Sequence, residues 1–215
     1  MLWPTLIVDN FFPDPHAIVE LSKTFEYRPA SDHAWPGTRS LPTHEGNKDF
    51  FLWSTQKIMA LLYPMEVSGL TWTALQHFQR IPYKTYGKEG WVHNDSDYEF
   101  TAIIYLSKHP ESGTCLYEGK NFNVDAKYKE EKEKFYKELT DRKRMEKYKK
   151  LANSKFTKKA ELFSNYNRLI LFDGHNWHAS RNSGKDKSDR LTLVTFFKNI
   201  NCKDIRFPIP TMRRT

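Results

Sequence analysis

The chain has 215 residues, 39% of them hydrophobic and 15% aromatic, which allows one sizeable core and excludes a wholly disordered chain. Its net charge is +8, but residues 126–160 hold 14 Lys/Arg against 6 Asp/Glu while the remainder holds 20 of each, so the basicity belongs to one segment. Cys115 and Cys202 form neither a disulfide framework nor a CxxC metal site, residues 1–12 do not read as a signal peptide, and no apolar run reaches the roughly 20 residues of a membrane span; the expectation is a soluble, cytoplasmic protein in a reducing compartment.

Residues 5–10 read as a short strand because β-branched side chains cluster there. Asp14-Pro15 then opens a helix to about Phe25, with Ile18, Val19, Leu21 and Phe25 as its apolar stripe. Residues 28–46, rich in Pro, Gly, Ser and His, read as a loop whose centre, Trp35 to Arg39, is either a lid over a site or a packed loop. A second helix is expected from about Asp49 to Leu62. From Leu70 the pattern changes, and residues 71–82, 99–106, 114–118, 168–173 and 190–198 read as strands. Helices first and strands after suggest a β-sandwich or barrel braced by N-terminal helices, in one domain spanning residues 1–215. A Lys-rich insert at about 125–160 interrupts the strands, and its first part, to about 152, reads as one or two exposed helices.

Two histidines and one carboxylate can cap one face of a non-haem Fe(II) and leave the opposite face open. His93 and Asp95, two residues apart in an extended segment, share a face and can converge on one ion, whereas Asp97 would point past it. An HxD match alone is better read as a surface histidine beside an Asp-Ser-Asp turn. Further along, Asn167 to Gly174 is an apolar strand closed by a glycine turn, and His178 follows four residues later. His175 is the rival ligand, but it stands directly after the turn, where connections usually run on the surface. In the last strand Arg190, Thr192 and Phe196 share one face. An arginine turned into a barrel needs a fixed anion to offset its desolvation, and its planar fork matches a carboxylate.

At these residues the chain resembles the Fe(II)/2-oxoglutarate-dependent dioxygenases, in particular their prolyl-4-hydroxylase-like branch. The resemblance runs from about Thr73 to Phe197. It rests on Tyr83 to Gly87 leading into Trp91 to Asp95, on Phe100 to Ser107, on Ser112 to Tyr117, on Arg168 to His178, and on Arg190. It implies a double-stranded β-helix core, mainly β with helices, carrying the inserted Lys-rich segment. It also implies that His93, Asp95 and His178 bind Fe(II), that Arg190 pairs with the far carboxylate of 2-oxoglutarate, and that Tyr105 donates to the same carboxylate. Tyr83 or Tyr86 would line the co-substrate pocket and Thr192 would assist. O2 is the second co-substrate, and ascorbate is compatible with the family. Asp95 argues against a halogenase, which has a small residue there; Phe196 stands where nucleic-acid demethylases of the AlkB type carry a second arginine; and the HxH pair of two-His cupins is absent.

The reaction implied is hydroxylation of an unactivated C–H, releasing succinate and carbon dioxide. The resemblance favours a peptidyl or amino-acid substrate over a small metabolite. Trp91, Tyr117, Trp177 and the loop carrying Arg39 are candidates for the substrate wall, although each of these aromatics also suits a core. A binding function of another class is the alternative. Lys and Arg of residues 126–160, interleaved with Tyr128, Phe135, Tyr136, Tyr148 and Phe156, could hold a polyanion such as a nucleic acid. Glu130–Lys134 and Glu133–Lys137 at i,i+4 spacing instead suit a solvated helix face.

Overall fold

The computed structural model describes residues 5–29, 35, 37–63, 69–82, 89–109, 111–119, 130, 142–181 and 188–201. In chain order these form β1 (Thr5–Val8), α1 (Pro15–Lys23), β2 (Tyr27–Pro29), β3 (Thr38–Ser40), α2 (Thr43–Gly46), α3 (Lys48–Met59), β4 (Thr71–Ile81) and β5 (Phe100–Tyr105). They continue with β6 (Gly113–Gly119), α4 (Arg142–Asn153), β7 (Phe156–Phe163), β8 (Leu169–Asp173), β9 (Trp177–Arg181) and β10 (Arg190–Asn201). A seven-stranded sheet has the order β1-β8-β5-β10-β4-β3-β2, and a three-stranded sheet the order β7-β6-β9. All the recorded pairings are antiparallel. The N-terminal helices and two antiparallel sheets agree with the braced double-stranded β-helix that the sequence suggests.

In the large sheet the central strands β5, β8 and the first part of β10 are buried on both faces, so apolar residues stand on both of their sides. Its outer face packs against the N-terminal helices: Phe100, Ala102 and Ile104 of β5, Leu169 and Leu171 of β8, and Leu193 and Phe197 of β10 join Ile18, Phe50, Ile58 and Met59. Its inner face carries Ile103, Tyr105, Ile170, Phe172, Val194 and Phe196, which meet Leu116 of the small sheet. The two sets alternate residue by residue, so each strand serves two cores at once.

One polar knot crosses the helix-facing layer. Buried Gln76 of β4 accepts from Thr43 Oγ1 at 2.8 Å and Ser54 Oγ at 3.1 Å, and donates to Thr195 Oγ1 at 2.9 Å. Gln76→Leu leaves those hydroxyls without their amide partner in a dry layer. We predict a loss of about 1–3 kcal/mol, read as a lower urea midpoint with unchanged slope.

Several expectations change in detail. The stretch 28–46 is not one loop, because β3 and the short α2 lie within it. Past the helical part of the Lys-rich insert, which ends at Asn153 as α4, the insert is not loop: Phe156 begins β7, the edge strand beside β6. Charged outward residues such as Lys158 and Lys159 suit an edge that must not pair further. Nor is α4 a wholly exposed helix. Ala152 and Phe156 pack with Trp91, Cys115, Tyr117 and Ala179 on the outer face of the small sheet. Lys149 is turned inward and paired with Glu146 at 2.8 Å. Among the described residues, no helix is long and apolar enough to cross a membrane.

Candidate metal centre

Segment 89–93 runs beside β9 through bridges between Glu89 and Arg181 and between His93 and His178. The His93–His178 pair is reciprocal: His93 N–H donates to the His178 carbonyl at 2.9 Å, and His178 N–H donates back at 2.7 Å. The two imidazoles therefore stand side by side, ring centroids 4.3 Å apart. After His93 the chain leaves the sheet in a turn, where Tyr98 N–H donates to the Asp95 carbonyl at 2.8 Å, and Asp95 N–H donates to the Gly174 carbonyl at 2.7 Å. That contact explains the glycine after β8. A Cβ on Gly174 would lie 2.2 Å from the Tyr98 carbonyl oxygen and 2.8 Å from that of Asp95.

The side chains converge. Asp95 Oδ2 lies 3.4 Å from His178 Nε2, and Asp95 Oδ1 lies 3.9 Å from His93 Nε2. One donor atom from each of His93, Asp95 and His178 falls within 4.8 Å of the others. Each histidine is oriented from behind. His93 Nδ1 donates to the Trp91 carbonyl and His178 Nδ1 to the Asn176 carbonyl, both at 2.9 Å. A carbonyl only accepts, so each neutral ring carries its proton on Nδ1 and turns the Nε2 lone pair inward. Thr101 Oγ1 donates to Asp95 Oδ2 at 2.7 Å and fixes the carboxylate. Two neutral nitrogens and one carboxylate on one side of an open cavity form a donor set that fits Fe(II). His175 stands outside this group, with its Nδ1 3.5 Å from Asp173. Asp97 is likewise not part of it.

The cavity measures about 250 Å³, and its wall includes the three candidate ligands together with Arg190, Thr192 and Thr114. Arg190 is only 7% exposed. Its guanidinium carbon lies 5.1 Å from the centre of the Tyr105 ring, and its Nε is buried without a hydrogen bond. Burial pushes its pKa down, opposed only by Tyr105. Among the described residues Arg190 has no carboxylate partner, so a buried guanidinium faces the cavity unneutralised. An anion with two carboxylates, one on the ion and one on Arg190, suits this arrangement.

Other expected residues fall differently. Tyr105 is fully buried, and its hydroxyl is 2.7 Å from Thr114 Oγ1, either atom being able to donate. Thr114 lines the cavity, and the Tyr105 hydroxyl stands directly behind it. Trp91 and Arg39 line the cavity. The Arg39 guanidinium lies over Trp35 at 4.3 Å and over Phe196 at 5.3 Å. Tyr117 and Trp177 do not line it. Alternation turns them to the outer face of the small sheet, where Tyr117 donates to Glu89 and Trp177 packs on Phe156. Tyr83 and Tyr86 lie outside the described residues. Sequence reasoning missed Thr101 and Thr114. Thr101 was reachable, because it shares the inward face of residues 99–106 with Ile103 and Tyr105.

Residues 3–197 match a protein family described as "Family of unknown function (DUF6445)", and the chain belongs to it. No curated protein is detectably similar in sequence. Solved structures share the fold. HygX from Streptomyces hygroscopicus, solved with nickel and 2-oxoglutarate bound, is 11% identical with a TM-score of 0.59, over 90% of this chain and 82% of that one. The non-heme alpha ketoglutarate dependent carbocyclase SnoK from nogalamycin biosynthesis is 7% identical with a TM-score of 0.56, over 92% and 79%. An oxidoreductase of the 2OG-Fe(II) oxygenase family from Burkholderia pseudomallei is 12% identical with a TM-score of 0.53, over 90% and 84%. The fold of this chain is that of the 2OG-Fe(II) oxygenases.

Proposed function

We propose that this member of the DUF6445 family is an Fe(II)- and 2-oxoglutarate-dependent oxygenase that hydroxylates an unactivated C–H of its substrate. The observation that carries the reading is the pairing, in one cavity, of the His93–Asp95–His178 donor set with a buried Arg190 that has no carboxylate partner among the described residues. Each feature has an ordinary explanation alone; together they match an ion and a dicarboxylate at opposite ends of one site. The shared fold supports the same reading.

Bound there, Fe(II) and 2-oxoglutarate supply the oxidising chemistry with O2, the co-substrate leaving as succinate and carbon dioxide. The residues of the chain hold and orient. His93, Asp95 and His178 would hold the ion through one donor atom each, a set that leaves room for exchangeable ligands. Arg190 anchors the far carboxylate of the co-substrate, with Thr192 and Thr114 beside it on the wall. Ile103, Val194 and Phe196 keep the inner wall apolar and limit water.

A peptidyl or amino-acid substrate, as in prolyl hydroxylation, is the finer form of this proposal and rests on the sequence resemblance. Arg39 and Trp35 on the cavity wall are the residues to bear on that substrate, whereas the Trp91 ring is committed to the packing under α4. Polyanion binding through residues 126–160 is the alternative reading, and the first part of that insert lies largely outside the described residues.

The test is anaerobic titration of the purified protein with Fe(II) and 2-oxoglutarate. A weak visible charge-transfer band should appear, and admission of air should yield succinate. Absence of the band at millimolar co-substrate would sink the proposal.

A further inference from the structure

The Lys-rich insert is not absorbed by the reaction just proposed, yet its helix reaches the strand that carries the first ligand. Segment 89–93 has β9 on one side, where Gly90 N–H donates to the Ser180 carbonyl at 2.7 Å and His93 pairs with His178. Its other side would be an open sheet edge. Asn153, at the end of α4, covers that edge with its side-chain amide. Its Nδ2 donates to the Gly90 carbonyl at 2.9 Å, and its Oδ1 accepts from Val92 N–H at 3.0 Å. One amide thus reproduces the donor and acceptor of a missing neighbour strand. Asn153 is only 9% exposed, so these bonds are shielded from water.

The bracketed residue is Trp91, whose carbonyl accepts the Nδ1 proton of His93. Its ring packs near Tyr148 of the same helix, centroids 6.1 Å apart. Gly90 is held from the other side as well, since a Cβ there would lie 2.5 Å from Ser180 Oγ. Helix α4 therefore fixes the two peptide units that flank Trp91, and the second of them contains the carbonyl that sets the His93 ring.

We infer that Asn153 is a positioning residue for the metal centre: it makes the insert a structural arm of the site by holding the His93-bearing strand in register. The inference rests on the metal-site reading above. Outer partners that orient a ligand typically tune metal affinity by about 10–100-fold. Asn153→Ala should fall near the low end, with Co(II) binding weakened about tenfold and a changed visible Co(II) spectrum.

The experiment titrates the full chain with Co(II) alone and follows visible absorption well below the unfolding temperature. Gln76→Leu, which loosens the far layer of the large sheet, is the control for lost stability. It should leave Co(II) affinity within about twofold while lowering the urea midpoint. Asn153→Asp keeps the acceptor for Val92 N–H but sets a carboxylate oxygen against the Gly90 carbonyl. It should fold and still bind Co(II) more weakly than the wild type. Affinity in both Asn153 variants equal to that of Gln76→Leu would overturn the positioning role and leave the proposed function standing. Failure of the wild-type protein to bind Co(II) would overturn both.

Discussion

His178→Ala abolishes Fe(II) binding, with no charge-transfer band in anaerobic titration at any practical metal concentration and no succinate formed. The expectation follows from where the side chain sits. His178 is 5% exposed, its Nδ1 is engaged by the Asn176 carbonyl, and its Nε2 faces Asp95 and His93. Alanine leaves two donors and a gap that no other described side chain fills. His175 cannot replace it, because its Nδ1 lies by Asp173 and its ring is outside the cavity wall. His175→Ala should accordingly leave metal binding unchanged. Thr101→Val removes only the hydroxyl that fixes the Asp95 carboxylate, and should weaken binding by about tenfold. A tighter-binding His178→Ala than Thr101→Val would assign the third ligand elsewhere.

Arg190→Leu separates co-substrate binding from protein stability, and the two should move in opposite directions. With no ligand present, Arg190 is a buried charge with no counter-ion among the described residues. Replacing it with an apolar side chain removes an unrecovered desolvation cost, so the ligand-free variant should melt no lower than the wild type. Its 2-oxoglutarate affinity should fall by about 3 kcal/mol, on the order of a hundredfold, because a buried charge-assisted pair is lost. Calorimetric titration with the metal present reads the second effect, and thermal melts with and without 2-oxoglutarate read both. In the wild type the melting temperature should rise with co-substrate concentration, as binding to the folded state alone requires. The same rise in Arg190→Leu would remove Arg190 from the co-substrate site.

Much of this site is legible in sequence because strands write their geometry in period two. In residues 190–197 the order Arg, Leu, Thr, Leu, Val, Thr, Phe, Phe already separates an inner from an outer face. Asp95 rather than Asp97 falls in the donor group with the two histidines, although the segment carrying it turns out of the sheet rather than continuing as a strand. The unread parts share one physical cause: partners distant in sequence supply their meaning. Edge strand β7 looks like a continuation of the Lys-rich stretch, since of its eight residues only Phe156 is fully buried. Tyr117 and Trp177 resemble pocket aromatics until α4 is seen to cover their face. Thr114 is indistinguishable from any strand threonine until Tyr105 is placed behind it. Asn153 shows nothing in sequence, because its partners are backbone groups of Gly90 and Val92, some 60 positions away.

His93 and His178 are coupled through main-chain atoms, and along a strand each successive side chain points to the opposite face. A one-residue slip of β9 against its neighbours would not displace the ligand by a fraction of an ångström. It would present Trp177 or Ala179 in its place. With respect to register the candidate centre is digital: a slip removes a donor outright, whereas changes behind the donors only tune it. Gradual divergence is left to the cavity wall, where Arg39, Ile81 or Phe196 can change one at a time without disturbing the count along the strand. Under the proposed function, a single scaffold of this kind can exchange one substrate for another while its donor set stands still.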